Sequence, residues 1–302
     1  MAQEDKRLAP PDLEAQARDR YLIPTMIERF PVRDVRLDLD DSVPKHWHAA
    51  GRAVSTFFDN LSLFFPAGER FFVSAVNHHK AAVLDPALRA QVQDFCGQEG
   101  LHSREHARYN RMLQAQGYPA ARLEARVERV IAFFGRVVPR RRQLAATCAL
   151  EHFTASLAHG VLSDPRVLDG AQPVMASLWR WHAVEENEHK GVAYDVYLCA
   201  GGTFFERATS MVLTTLVFWA LVFDQQLRMM RADGTLWSPR EWGRLLWFCW
   251  GRPGMLRRMI GHYVSYFRPR FHPWQLDNRD LIERWARDYD QAVVSAAGKI
   301  SA

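Results

Sequence analysis

The sequence predicts an all-α fold: a four-helix bundle followed by additional C-terminal helices. Three observations predict it. No strand-like alternation or hairpin turn signal occurs along the 302 residues. Apolar residues instead recur at helical spacing between recognisable start and stop signals. Four of these stripes also turn polar midway, in the chain order Glu69, Glu99-x-x-His102, Glu151, Glu186-x-x-His189. Positions three apart share a helix face, so each Glu-x-x-His aims a carboxylate and an imidazole at one point. Two such pairs with two isolated glutamates are the inventory of a carboxylate-bridged two-metal site inside a bundle.

Taken in order, residues 1–45 mix charges with Pro10, Pro11, Pro24, Pro31 and Pro44 and read as an N-terminal arm laid over the body. Residues 46–202 read as the di-metal bundle. The pattern turns helical from Trp47, and Pro66 and Gly68 predict a kink or restart just before Glu69, which shares a stripe with Phe65, Phe72 and Val76. Asp85-Pro86 reads as a cap with proline at the first helical position, and Gly117 with Pro119 as the stop. Between them Leu88, Val92, Phe95, Glu99, His102, His106 and Leu113 fall on one face. A helix over about 120–136 follows, and Pro139 opens the next. There Leu144, Thr147, Cys148, Glu151, Ala155 and Ala158 share a face whose small side chains leave room for a metal and a substrate.

One helix from about Pro173 to Cys199 places Met175, Trp179, His182, Glu186, His189, Ala193 and Tyr197 on one stripe. Residues 203–302 read as a helical extension packed on the bundle. It begins with an apolar helix to about Met230, whose stretch Met211–Phe223 is hydrophobic on nearly all sides and is expected to be covered on more than one face. That stretch is shorter than the ~20 residues a membrane span needs. Ser238-Pro239-Arg240-Glu241 reads as a capping box, and an amphipathic helix starts near Asp277.

Composition narrows the classes further. The net charge of +5 comes from arginines spread along the chain, clustered at 136–142 and 252–258, with no nucleic-acid-reading motif. Cys96, Cys148, Cys199 and Cys249 form no C-x-x-C pair, which fits a reducing compartment. The charged N-terminus lacks an apolar leader core, so the expected location is cytoplasmic.

Four carboxylates with two neutral imidazoles carry a charge that two divalent ions neutralise, which is how such a set tolerates burial. Glu99 and His102 fall to one side, Glu186 and His189 to the other, and Glu69 and Glu151 bridge or terminate. Oxygen and nitrogen donors without thiolate suit iron or manganese, with zinc also admitted. His182, four residues before Glu186 and seven before His189, is a candidate seventh ligand, with a hydrogen-bonding role as its alternative. Glu185 competes with Glu186 for the ligand position, and Glu188 is expected to be solvated. His106 is read as a hydrogen-bond partner, a pocket residue or an ordinary buried histidine. His159 is read as a neighbour of the ligands, His152 and Glu105 as structural or exposed, and His46, His48, His78 and His79 as helix-end or surface groups.

Through Glu69, Glu99-x-x-His102, Glu151 and Glu186-x-x-His189, residues 47–200 resemble the ferritin-like di-iron carboxylate proteins. The Gly68-Glu69-Arg70 run, the paired motifs and the aromatic-rich tail resemble more narrowly the bacterial family labelled predicted metal-dependent hydrolases. His182-x-x-x-Glu186-x-x-His189 resembles the histidine-enriched motif of the arylamine N-oxygenases. The last resemblance implies a di-iron oxygenase or oxidase holding two iron ions, activating dioxygen to oxidise an apolar or aromatic small molecule with an external electron donor. The family label implies the alternative, hydrolysis at a dinuclear site. The expected partners are dioxygen, an apolar small-molecule substrate and that electron donor, with no nucleic acid; a peripheral membrane contact and a homodimer stay open.

Overall fold

A computed structural model describes residues 29–300, and among them there is no β-strand. Residues 1–28, which hold the arm's first three prolines and the stretch read as lacking a leader, lie outside the described residues. The described part of the arm has no regular structure, yet it inserts rather than lies over the body. Its Phe30 and Val43 are buried in the core, and just beyond it the buried Trp47 indole donates to Asp59 Oδ1 at 2.9 Å.

Helix α1 is Arg52–Ser62, starting five residues later than the pattern suggested, and α2 is Phe65–His79. The expected interruption before Glu69 is therefore a restart, with Pro66 in the first turn of α2 where its missing N–H costs no helical hydrogen bond. Helix α3, Pro86–Ala115, is capped by Asp85, whose side chain accepts from Ala87 N at 2.9 Å. It ends before Gly117, whose φ of 88° is the left-handed conformation that glycine adopts without strain. Next come α4 (Ala120–Val137) and α5 (Arg140–Ser163).

The single helix expected from Pro173 to Cys199 is two, α6 (Pro173–His189) and α7 (Val192–Cys199). The cause is tertiary. A C-terminal loop docks at the break, where Lys190 Nζ donates to Leu276 O and Asn278 Oδ1, each at 2.6 Å. Trp274 packs so closely on Gly191 that an added Cβ would meet its Nε1 at 2.7 Å.

Helix α8, Phe204–Ala232, is 29 residues long, which is long and apolar enough to cross a membrane by length and composition alone. It extends well past the 13-residue stretch that had argued against a span. Its buried face carries Met211, Val222, Gln225, Gln226, Met229 and Met230. Among the described residues nothing covers the opposite face, so the expectation that this helix is covered on more than one side does not hold there. After it come α9 (Pro239–Leu246), a short π-turn at Trp247–Gly251, α10 (Met255–Ser265) and α11 (Arg279–Ile300). Ser238 accepts from Glu241 N as a capping box requires, but Glu241 does not reach back. Its Oε2 accepts instead from Ala53 N at 3.1 Å, capping the start of α1.

The glutamates and histidines singled out by spacing sit on α2, α3, α5 and α6. Helix α2 packs on α3 and α5, and α6 packs on α5 and α3, so the four enclose a common interior. Helix α8 lies along the outside of α5 and α1.

Candidate metal centre

Each ligand-bearing stripe is the buried face of its helix, which is why the carboxylates converge. Around Glu69, Phe72 and Val76 anchor α2 in the core; around Glu99 and His102, Phe95 and Leu113 anchor α3. Leu144 and Ala158 do so for Glu151, and Met175 and Trp179 for Glu186. All seven candidates, Glu69, Glu99, His102, Glu151, His182, Glu186 and His189, are buried to 3% exposure or less. Burying that many ionisable groups together without compensation would be prohibitively unfavourable.

Two sets of possible ligand atoms each fall within 4.8 Å: Glu99, His102, Glu186 and His189, and Glu69, His102 and His182. Glu151 belongs to neither set but stands beside them, its Oε2 3.3 Å from His189 Nδ1. The other His189 nitrogen is 3.1 Å from Glu99 Oε1. Across the site, Glu186 Oε1 lies 3.2 Å from His182 Nε2 and 3.7 Å from His102 Nδ1. These approaches lack hydrogen-bond geometry. Both oxygens of Glu69, Glu99, Glu151 and Glu186, both nitrogens of His102 and His189, and Nε2 of His182 have no hydrogen-bond partner among the described residues. Buried polar atoms are nearly always paired, so a cluster of orphaned donor atoms of this kind fits divalent cations.

The electrostatics fit the same reading. Burial, then repulsion among the carboxylates, pushes Glu69 well above the usual carboxylate range, and burial does the same for Glu99. Burial raises Glu151 to about 7. Burial also acts upward on Glu186, but His182 and the other imidazoles outweigh it and hold this carboxyl at about 2. Burial and the neighbouring His182 keep His102 well below the usual imidazole value, the neutral state in which a histidine ligates. On His189 burial acts downward, and Glu151 and Glu99 together lift it well above the usual value. A positive centre among these groups relieves both the repulsion and the proton uptake it causes.

Around the seven, a shell of partners fixes orientation. Asn110 Nδ2 donates to Glu124 Oε1 at 2.8 Å and to Ser62 O at 3.2 Å, which leaves its Oδ1 to accept from the Ser62 hydroxyl at 2.7 Å. Ser62 Oγ must then accept from His106 Nδ1, 2.9 Å away. Burial holds His106 neutral, so its Nε2 carries a lone pair and accepts from His182 Nδ1 at 3.1 Å. His182 Nδ1 is thereby engaged as a donor, and its Nε2 is aimed at Glu186. This is how a second layer of partners prepares an imidazole for a metal.

Glu185, the competitor of Glu186, is fully buried between His102 and the arm. Its Oε2 is 3.1 Å from His102 Nε2 and its Oε1 accepts from Arg33 at 3.2 Å. Glu188 is not solvated as expected: Arg33 donates to both of its oxygens, at 2.7 and 2.9 Å, and Gln98 donates to it at 2.8 Å. The arm thus supplies the cation that neutralises the outer face of α6. Glu105 is structural, buried between Arg104 and Arg108, whereas one other expectation changes, since His48 is buried and bonded to Val167 O. His152 is half-buried against His262 O, while His159 pairs with the His262 ring rather than with the ligands.

Sequence spacing did not identify Ser62, Asn110, Arg33 or Gln98. Asn110 carries a faint signal, one turn after His106 on the same stripe. Ser62 and Arg33 carry none, because they arrive from other segments of the chain.

His182 also opens onto a cavity of about 350 Å³. Its walls are almost wholly apolar; Phe65 and Trp179 lie beside His182, and Phe72, Ile131, Phe134 and Val217 also line it.

A family model described as predicted metal-dependent hydrolase matches residues 31–277, and the chain belongs to that family. None of the curated proteins and none of the solved structures compared matches it.

Proposed function

We propose that this member of the predicted metal-dependent hydrolase family is a hydrolase that cleaves an apolar substrate at a dinuclear centre held by Glu69, Glu99, His102, Glu151, His182, Glu186 and His189. The observation that carries the reading is the cluster of buried, unpaired carboxylate and imidazole atoms at the end of an apolar cavity. Bound divalent ions would supply Lewis acidity toward a carbonyl or phosphoryl oxygen and lower the pKa of water. The chain's own residues do the rest. Phe65, Phe72 and Trp179 exclude bulk water and seat the apolar body of a substrate. The Asn110–Ser62–His106 chain fixes the ring of His182, whose Nδ1 donates to His106, where it lines the cavity. The Glu185 carboxylate, tied to Arg33, lies 3.1 Å from the far nitrogen of His102 and adds negative charge beside that imidazole.

A second reading, a di-iron oxygenase taking electrons from an external donor, is favoured by one observation, the third imidazole. His182 adds nitrogen to an oxygen-rich set, which suits a redox-active ion better than hydrolysis requires.

The test uses the purified chain loaded separately with zinc, manganese or ferrous iron, and p-nitrophenyl esters of increasing acyl length. Hydrolysis predicts turnover with zinc or manganese under anaerobic conditions, better for longer acyl chains, and lost in Glu151→Ala together with bound metal. Oxygen uptake confined to the reduced iron form, with no ester cleavage under any metal, would instead select the oxygenase reading.

A further inference from the structure

Helix α8 carries an apolar stripe that no other segment among the described residues covers. Phe205, Val212, Leu213, Leu216 and Phe223 are exposed by 44–78% and recur at helical spacing. From Phe205 to Phe223 the stripe is about 27 Å long at 1.5 Å per residue. Phe133 and Val137 at the end of α4 are exposed as well, by 59% and 58%. An apolar face of this extent marks an interaction surface rather than ordinary solvent exposure.

Charge identifies what it meets. Exposed Arg136, Arg140, Arg141 and Arg142 follow Phe133 and Val137 in the chain, and Arg141 Nε pairs with Glu206 Oε2 at 2.8 Å, placing this cluster beside the start of α8. At the other end Arg126 and Arg228 pair with Asp224, next to Phe223. An apolar stripe with arginines at both ends complements an anionic bilayer, whose acyl region takes the stripe and whose headgroups take the guanidiniums.

The position of the cavity separates a bilayer from a second copy of the chain. Leu213 and Val137 are exposed and also line the cavity that ends at His182. A protein partner on this face would seal the mouth, and a two-fold contact would bring like-charged arginine clusters together. A bilayer leaves the mouth open to acyl chains. Crossing the membrane is not compatible with the fold. The inner face of α8 is tied down by Gln226 to Thr56 Oγ1 at 3.0 Å, by Asn60 to Val222 O at 2.8 Å and by Arg207 to Arg268 O at 2.9 Å.

We infer that the chain docks on anionic membrane surfaces through the stripe of α8 and the end of α4, with the cavity mouth facing the lipid, so that its substrate is a lipid-soluble molecule entering from the bilayer. The substrate class rests on the proposed metal centre, whereas the docking does not. Failure of one is therefore distinguishable from failure of the other.

The metal-loaded chain is sedimented with vesicles of phosphatidylcholine alone or mixed with phosphatidylglycerol, at low and high salt. The expected result is co-sedimentation with the mixed vesicles, weakened by salt and by omission of the anionic lipid. Leu216→Glu with Phe223→Glu, neither residue lining the cavity, should lower it by about tenfold or more while metal content and helicity stay unchanged. Arg136→Glu with Arg140→Glu should remove the dependence on anionic lipid. Absence of vesicle binding by the parent chain, or equal binding by both pairs of variants, overturns the docking. So does sedimentation of the free chain as a dimer that the Leu216→Glu and Phe223→Glu pair dissociates, which would assign the face to a second copy.

Discussion

At the scale of single residues, His106 has the most to say about how the site is built. It does not join the orphaned donor atoms; it settles which nitrogen of His182 is free to join them. His106→Leu should leave the fold intact but weaken metal binding by about 10–100-fold, as loss of a partner that orients a ligand does. Competition against a chelating indicator measures it, and an unchanged affinity would reduce His106 to packing. The carboxylates set the pH dependence. Burial raises Glu151 from an ordinary 4.5 to about 7 in the metal-free protein, so below that value a proton occupies the position a cation needs. Raised Glu69, Glu99 and His189 act in the same direction. Metal affinity should therefore fall as pH drops from 8 through about 7 toward 5, with protons released on binding, which calorimetry in buffers of different ionisation enthalpy detects. An affinity flat across that window would contradict the burial of these groups as free carboxyls. Helical spacing made all seven of these residues visible in the sequence, because each lies on the core stripe of its own helix. The residues that orient them were not visible, because a partner contributed by another segment leaves no periodic mark.

At the scale of elements, starts and stops were legible wherever local chemistry decides them. Asp85, Gly117, Pro139 and Ser238 all act where their side chains or backbone preferences said they would. Local chemistry failed where another segment intervenes. Nothing in the run from Pro173 to Cys199 interrupts a helix strongly, since one glycine is tolerated in a helix interior at a cost of about 1 kcal/mol. The break after His189 comes from Trp274 and Asn278 docking against it. Gly191→Ala should consequently destabilise the protein by about 1–3 kcal/mol, the usual range for overpacking, because the new methyl group meets the Trp274 ring at 2.7 Å. Chemical denaturation measures the change. Trp274→Ala in the same background should relieve it, and a Gly191→Ala chain as stable as the parent would show that the break is set elsewhere.

At the scale of the whole molecule, a metal at the candidate centre would couple to the fold, since the four helices converge on charges that repel one another without cations. Loading the stripped protein with a divalent ion at about a hundred times its dissociation constant should add about 2.7 kcal/mol and raise the melting temperature by about 5–10 °C. Scanning calorimetry of stripped and reloaded protein tests this, and identical melting points would separate the cluster from any resident metal. What the sequence determined by itself was the all-α class, the order of the helices that carry the candidate ligands and the burial of those seven candidate side chains on the core stripes. Those are consequences of a 3.6-residue period and of caps, both of which are local. Tertiary structure alone decided that Arg33 from the arm neutralises Glu188, that Ser62 and Asn110 fix the ring of His182 through His106, and that α8 shows solvent an apolar stripe beside the cavity mouth. The physical reason is the same in each case. Periodicity states which face of a helix is apolar, but what covers that face, or leaves it bare, depends on segments tens of residues away in the chain.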